Sequence, residues 1–142
     1  MALAAAQVVD AIAARLVPMV ATGGRVYTSR TWPLAEADLP AWRVTAEGED
    51  VTRATVEGLN EHSLSVRARA SARTTADLDD TLHALAASGL ALLFAEPVPY
   101  GLQLERIDRE LSTEGEAAVG AISLDMRAQY FVAPATPETI FS

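Results

Sequence analysis

The sequence contains no cysteine and no lysine, and aromatic residues make up only 6% of its 142 residues. Without cysteine the chain can form neither a disulfide bond nor a thiolate metal site, which is consistent with a cytosolic protein. Half of the residues are apolar, and many of these are alanine. The chain is long enough to bury a core as a single domain, and we expect that core to consist of small and aliphatic side chains.

Positive charge is also scarce. Acidic residues outnumber basic residues 19 to 11, which gives a formal net charge of −8 at pH 7. A protein that reads nucleic acid needs a surplus of positive charge to neutralise phosphates. The charge balance therefore argues against a nucleic-acid reader.

No segment is predicted to enter a membrane. Residues 1–21 are largely apolar, but they lack a positively charged start and are interrupted by Asp10 and Arg15, which argues against a signal peptide. The longest charge-free run, near residues 85–95, is too short to cross a bilayer as a helix. We therefore expect a soluble protein with no membrane partner.

The clearest pattern is a strand that leads directly into a helix. Over residues 63–73, apolar side chains at even positions alternate with serine and arginine at odd positions, a period typical of a strand with one buried face. Residues 74–77 supply threonine and aspartate for an N-cap, and Leu78, Leu82 and Leu85 follow at helical spacing. The helix is expected to cover the apolar face, which leaves the arginine side of the sheet free.

The rest of the chain supplies a second helix and further strands. A slip in the apolar alternation of the strand before residue 112 predicts a β-bulge near Glu105 or Arg106, as edge strands often have. Residues 112–120 are predicted to form a polar turn. The predicted elements are an amphipathic helix at 2–20, a short strand at 25–29, and longer strands at 41–47, 102–111 and 121–132.

Two segments complete the predicted architecture. Residues 48–60 contain several acids and few large apolar side chains, and they are expected to form a projecting hairpin arm. Residues 134–142 are expected to form an extended C-terminal tail, whose apolar tip at Ile140 and Phe141 either docks or frays. The fold is therefore predicted as a single α+β domain over residues 1–133, with a mixed, mostly antiparallel sheet and two helices packed on one face.

The residues offer little for catalysis. The two histidines, His62 and His83, have no second ligand at a metal-like spacing, and His83 could pair with Asp79 or Asp80 on its own helix. The acids of the arm could bind a divalent cation, but they match no calcium-loop pattern and are better interpreted as a solvated run. We therefore predict no enzymatic activity, no metal and no cofactor.

The arginine row formed by Arg67, Arg69 and Arg73 is the best local candidate for an interaction surface, with two interpretations. Its arginines either pair across the sheet with residues such as Asp125 or pair with acids on a neighbouring copy. The acidic arm and the tail tip are further candidates. The full set of candidate interface residues is Arg67, Arg69, Arg73, Glu47, Glu49, Asp50, Val51, Glu57, Ile140 and Phe141.

The whole chain resembles the tail terminator proteins, or lambda-type minor tail proteins, of long-tailed bacteriophages. The resemblance is one of layout over nearly the full length. It rests on an N-terminal helix, the segment RVYTSRTWPLAEADLPAWRVTAEGED, the strand HSLSVRARA, the helix TTADLDDTLHALAASGLALL and the strand ISLDMRAQYFV.

This resemblance implies a non-enzymatic virion protein without a cofactor, made in the host cytoplasm and placed at the tail–neck junction. It implies that six copies form a ring that caps the tail tube, contacts the major tail protein and the head connector, and lets DNA pass through. Two alternatives remain: another neck component, such as a head-completion or stopper protein, and an unrelated cytoplasmic protein, either an α+β binding domain or a minor enzyme.

Overall fold

The structure, a computed structural model, describes residues 3–19, 22–28, 40–53, 58–74, 77–95, 101–114, 117–136 and 140. These residues form two helices and five strands. In chain order the elements are α1 (Ala4–Leu16), β1 (Val26–Tyr27), β2 (Ala41–Arg53), β3 (Asn60–Thr74), α2 (Leu78–Leu93), β4 (Gly101–Glu114) and β5 (Ala117–Val132).

The strands form one sheet in the order β1-β2-β3-β5-β4. The short strand β1 runs parallel to β2, and every other neighbouring pair is antiparallel. Helix α1 packs against β1 and β2, helix α2 packs against β3 and β5, and the two helices contact each other. The predicted α+β fold, with a mixed, mostly antiparallel sheet and two helices on one face, is confirmed.

The core lies between the helices and the even-numbered side chains of the two central strands. Because side chains alternate along a strand, the apolar positions of β3 and β5 all point to the helix side of the sheet. Helix α1 adds the stripe predicted from its spacing, which includes Val8, Ile12 and Leu16. The buried side chains of the central strands on the helix side are Leu64, Val66, Ala68, Ala70, Ala72, Ile122, Leu124, Met126, Ala128, Tyr130 and Val132.

Helix α1 is shorter than the predicted span of residues 2–20, because it ends at Leu16. Pro18 lies two residues beyond this end and has no backbone N–H with which to continue the helical hydrogen bonds. Met19 is nevertheless buried, as the apolar pattern predicts.

Helix α2 begins differently from the prediction. Asp77 occupies the N-cap position, but its backbone is left-handed (φ 55°, ψ 42°) and its carboxylate makes no capping hydrogen bond. The predicted side-chain cap is therefore wrong for Asp77, since a capping side chain normally extends from an N-cap residue in the β region. The Asp77 carbonyl instead accepts hydrogen bonds from the backbone N–H and the hydroxyl of Thr81, each at 3.0 Å.

The predicted projecting arm is instead the end of the sheet. Strands β2 and β3 continue as one ladder from the Gly48–Ser65 pair to the Arg53–Asn60 pair, and residues 60–65 of β3 also pair with β5. A bulge between Ala46 and Gly48 lets β2 continue in register where its alternation slips. We call residues 48–53 and 60–65 the distal hairpin.

Strands β4 and β5 also extend further than predicted. The bulge in β4 lies between Leu104 and Arg106, which confirms its predicted position, and β4 is an edge strand. The predicted turn over residues 112–120 is wrong, because the ladder continues to the Glu114–Ala117 pair. The long preceding ladder already fixes this register, and Thr113 and Val119 are residues that favour strands.

The tail beyond β5 turns back in its described part. The Thr136 N–H donates a hydrogen bond to the Ala133 carbonyl at 3.0 Å, so the chain is not extended there. Ile140 is half-buried and packs against the core, which agrees with docking of the tail tip. Phe141 lies outside the described residues.

Gly89 of α2 packs against Trp42 of β2. Trp42 is fully buried, and its indole Nε1 lies 3.2 Å from the sulfur of Met19. A Cβ atom added at Gly89 would lie 2.7 Å from the Cζ2 atom of the indole ring. Glycine therefore occurs inside this helix because only its bare backbone fits against the tryptophan.

Replacing Gly89 with alanine tests this contact. In an exposed helix the change would add about 1 kcal/mol of stability through helix propensity. At this position we expect a net loss of about 1–3 kcal/mol in the free energy of unfolding, because the methyl group overpacks a filled core. Urea unfolding would measure the loss, with Ser88→Ala on the exposed side of the same turn as the control. A stabilised Gly89→Ala variant would contradict the contact.

Candidate interaction surface

The side of the sheet opposite the helices carries most of the described arginines, and we call it the outer face. Its side chains come from the odd positions of β3 and from the residues paired with them on β2, β5 and, through β5, β4. Alternation places the arginines there because the even positions of β3 belong to the core. The outer-face arginines are Arg43, Arg67, Arg69, Arg73, Arg106 and Arg127.

The row predicted at Arg67, Arg69 and Arg73 therefore lies on one surface. Arg67 Nε donates to Asp125 Oδ1 at 2.8 Å, so the cross-strand partner suggested by the sequence is confirmed. Arg69 Nη2 donates to Glu110 Oε2 of β4 at 2.7 Å, which spans the intervening strand β5.

In each of these two ion pairs, the pKa of one member is shifted. The hydrogen bond that Arg67 donates to Asp125 raises the pKa of Arg67 above its usual value, because it favours the charged guanidinium. The hydrogen bond from Arg69 lowers the pKa of Glu110 below its usual value for the same reason.

Two more outer-face arginines have partners near β4. Arg127 Nε donates to Glu105 Oε1 at 3.1 Å, and its Nη1 donates to Ser63 Oγ at 2.6 Å. Arg106 Nε donates to Asp108 Oδ1 of the same strand at 2.8 Å. The outer face is thus a mosaic of charges that are already paired within the chain.

The distal hairpin places its acids on different sides of the sheet. The bulge after Ala46 reverses the alternation of β2, so Glu49 and Val51 lie on the helix side and Asp50 lies on the outer face. Glu47, next to the bulge, accepts a hydrogen bond from the Thr45 hydroxyl at 2.9 Å. Val51 is 51% exposed although it lies on the helix side.

Glu49 joins three neighbouring strands. Its Oε1 lies 2.6 Å from His62 Nδ1 on β3 and accepts a hydrogen bond from the hydroxyl of Tyr130 on β5. The His62 ring stacks on the Tyr130 ring with a centroid distance of 5.3 Å. Burial and the Glu49 carboxylate both raise the pKa of Tyr130, because each disfavours the phenolate.

The two histidines therefore have structural partners. His62 belongs to the Glu49 cluster, and His83 Nε2 accepts a hydrogen bond from Arg109 Nε at 2.9 Å in place of a pairing with Asp79 or Asp80. Within the described ranges no group of three or more histidine, aspartate or glutamate side chains could hold a metal ion. Among the same residues, no helix is long and apolar enough to span a bilayer.

The candidate residues do not all meet in one patch. The outer face contains Arg67, Arg69, Arg73 and Asp50. Glu49 and Val51 lie on the helix side of the sheet, and Ile140 packs against the core. Glu57 and Phe141 lie outside the described residues. Sequence reasoning did not identify Glu105, Glu110, Arg127 and Tyr130 as members of this site. For Arg127 a signal was present, because polar and apolar residues alternate along β5.

No protein-family model matches the chain, and a search of curated proteins finds no match.

The Tyr130 hydroxyl provides a test of the Glu49 cluster. Because the folded-state pKa of Tyr130 exceeds the ordinary value near 10, its contribution to stability is complete below about pH 10 and is lost as the pH rises further. We expect Tyr130→Phe to lower the free energy of unfolding by about 1–2 kcal/mol at pH 8, and this deficit to shrink above about pH 10. Urea unfolding across this range measures the deficit, and a deficit that does not vary with pH would contradict the cluster.

Proposed function

We propose that this protein is a structural component of a phage virion, a tail terminator whose copies form a ring on the end of the tail tube. The ring ends polymerisation of the tube and provides the surface that joins the tail to the head connector. The observation that carries the proposal is the division of the sheet. Its helix side is packed within the chain, whereas its outer face is polar, charged and uncovered by either helix.

A ring suits a subunit whose contacts are weak. Closure of a ring forms one more interface than an open row of the same copies, so interfaces on the order of 800 Å² per partner can suffice. The outer face and the distal hairpin are the surfaces that we assign to these contacts, and the ring would contain six copies. Charged pairs at such interfaces set orientation and partner choice more than affinity.

The net charge agrees with this role. With a charge of −8 per copy, a ring repels phosphates, so DNA can pass through it without adhering. The role also requires neither catalysis nor a cofactor.

Deletion of the gene from the phage that encodes it tests the role directly. We expect tails of uncontrolled length that cannot join heads, because nothing stops the tube from growing. Negative-stain microscopy of the lysate measures tail length. Finished tails of normal length without heads would instead indicate a head-completion or stopper protein, and unchanged virions would indicate a cytoplasmic binding domain.

A charge exchange on the outer face tests the assigned surface. Arg69→Glu alone breaks the pair with Glu110, whereas the double variant Arg69→Glu/Glu110→Arg keeps an ion pair within the chain and reverses the charges offered to a neighbour. Because the pair is exposed, we expect both variants to fold with a free energy of unfolding within about 1 kcal/mol of the original protein.

Both variants are expected to form fewer capped tubes when mixed with the tail tube protein. The double variant is the decisive one, since its internal pairing is preserved. If the double variant capped tubes as well as the original protein, the outer face would not be an interface of the ring.

A further inference from the structure

Strand β4 ends the sheet on one side. Its residues pair with β5 from the Gly101–Gln129 pair to the Glu114–Ala117 pair, and no strand in the described part of the chain pairs with its other edge. A long edge strand offers a row of unpaired N–H and C=O groups to another strand.

We propose that two copies of this chain pair in solution through their β4 edges, antiparallel and around a twofold axis at Ile107. The two sheets would join into one continuous sheet, and Ile107 would lie opposite Ile107 of the second copy. The inference does not rest on the proposed virion role, because it is argued from the free edge of β4 and uses neither the arginine row nor the distal hairpin.

Strand length favours this register. Strand β4 runs from Gly101 to Glu114, and Ile107 lies at its middle. Glu105 is the extra residue of the bulge, so beyond Arg106 the facing residues shift by one and Leu104 lies opposite Arg109. With this shift, a twofold axis at Ile107 overlaps nearly the whole length of both strands. Moving the axis towards either end would leave more of each edge unpaired.

The order of charges selects the same register. Arg106 and Asp108 lie on the outer face, where they already form an ion pair of 2.8 Å within each copy. With the axis at Ile107, each Arg106 lies opposite Asp108 of the second copy, and opposite charges on facing strands stabilise the pairing. An axis at Arg106, Asp108 or Glu110 would place that charge opposite itself. An axis at Arg109 would place Asp108 opposite Glu110.

The helix side of β4 favours pairing as well. Leu104 and Ile107 are only partly buried at this edge and pack against the core, so a second copy would cover more of their surface. Helix α2 lies over β3 and β5 rather than over β4. With strands about 4.8 Å apart, the two α2 helices would lie about 19 Å apart, which exceeds a helix diameter of about 10 Å. The helices therefore do not block the pairing.

A single introduced cysteine tests the register, because the chain has no cysteine of its own. Ile107→Cys places two thiols on directly facing residues, within the Cα separation that a disulfide requires. We expect mild oxidation to convert this variant into covalent dimers on a non-reducing gel. Gln103→Cys on the same strand is the control. Its two thiols would lie far apart in the dimer, so this variant is expected to run as a monomer on the gel. Equal cross-linking of both variants, or none of Ile107→Cys, would overturn the proposal.

Charge reversal tests the interaction itself by sedimentation equilibrium from micromolar to sub-millimolar concentration. We expect the original protein to reach twice the monomer mass, and Arg106→Asp or Asp108→Arg to weaken dimerisation about tenfold, because each places like charges opposite each other. The double variant Arg106→Asp/Asp108→Arg restores opposite charges and is expected to restore the dimer. Asp79→Arg on α2 changes the net charge as much as Asp108→Arg does and should leave the dimer intact.

Circular dichroism confirms that each variant is folded. A monomeric original protein over the whole concentration range would overturn the proposal. Failure of the double variant to recover the dimer, while both single variants lose it, would also overturn it.

Discussion

The structure depends on burying one side of β3 and β5 beneath both helices. Strand geometry assigns successive side chains to opposite sides, so filling the helix side with aliphatic residues commits the serines and arginines of β3 to the outer face. The small side chains on the helix side, together with Gly89, let α2 approach the sheet until its backbone meets the ring of Trp42. The helix side of the sheet is thereby buried, and the outer face is left for polar contacts.

Several arginines of the outer face form ion pairs with carboxylates of the same chain. Arg67 and Arg127 each have a carboxylate partner on a neighbouring strand, and Arg69 reaches the carboxylate of Glu110 across β5. Exposed ion pairs contribute little to stability, and they can exchange partners when another surface approaches. Such a face suits contacts that form during assembly and depend on the order of charges.

Much of the fold follows from local patterns, because alternation and helical spacing are local properties. They predict the strand–helix unit around Leu82, the bulge before Arg106 and the placement of the arginine row. They do not predict contacts that depend on the register of distant strands. A bulge in β2 moves Glu49 to the helix side, where it meets Tyr130, and only the assembled sheet explains Gly89 beside the tryptophan.

The central claim is that this chain is a permanent part of a virion at the junction of tail and head. Gold-labelled antibody against the protein, applied to purified virions and viewed by negative-stain microscopy, tests it most directly. The account predicts gold particles confined to the tail–head junction. Virions that carry no label and contain no trace of the protein by mass spectrometry would contradict it.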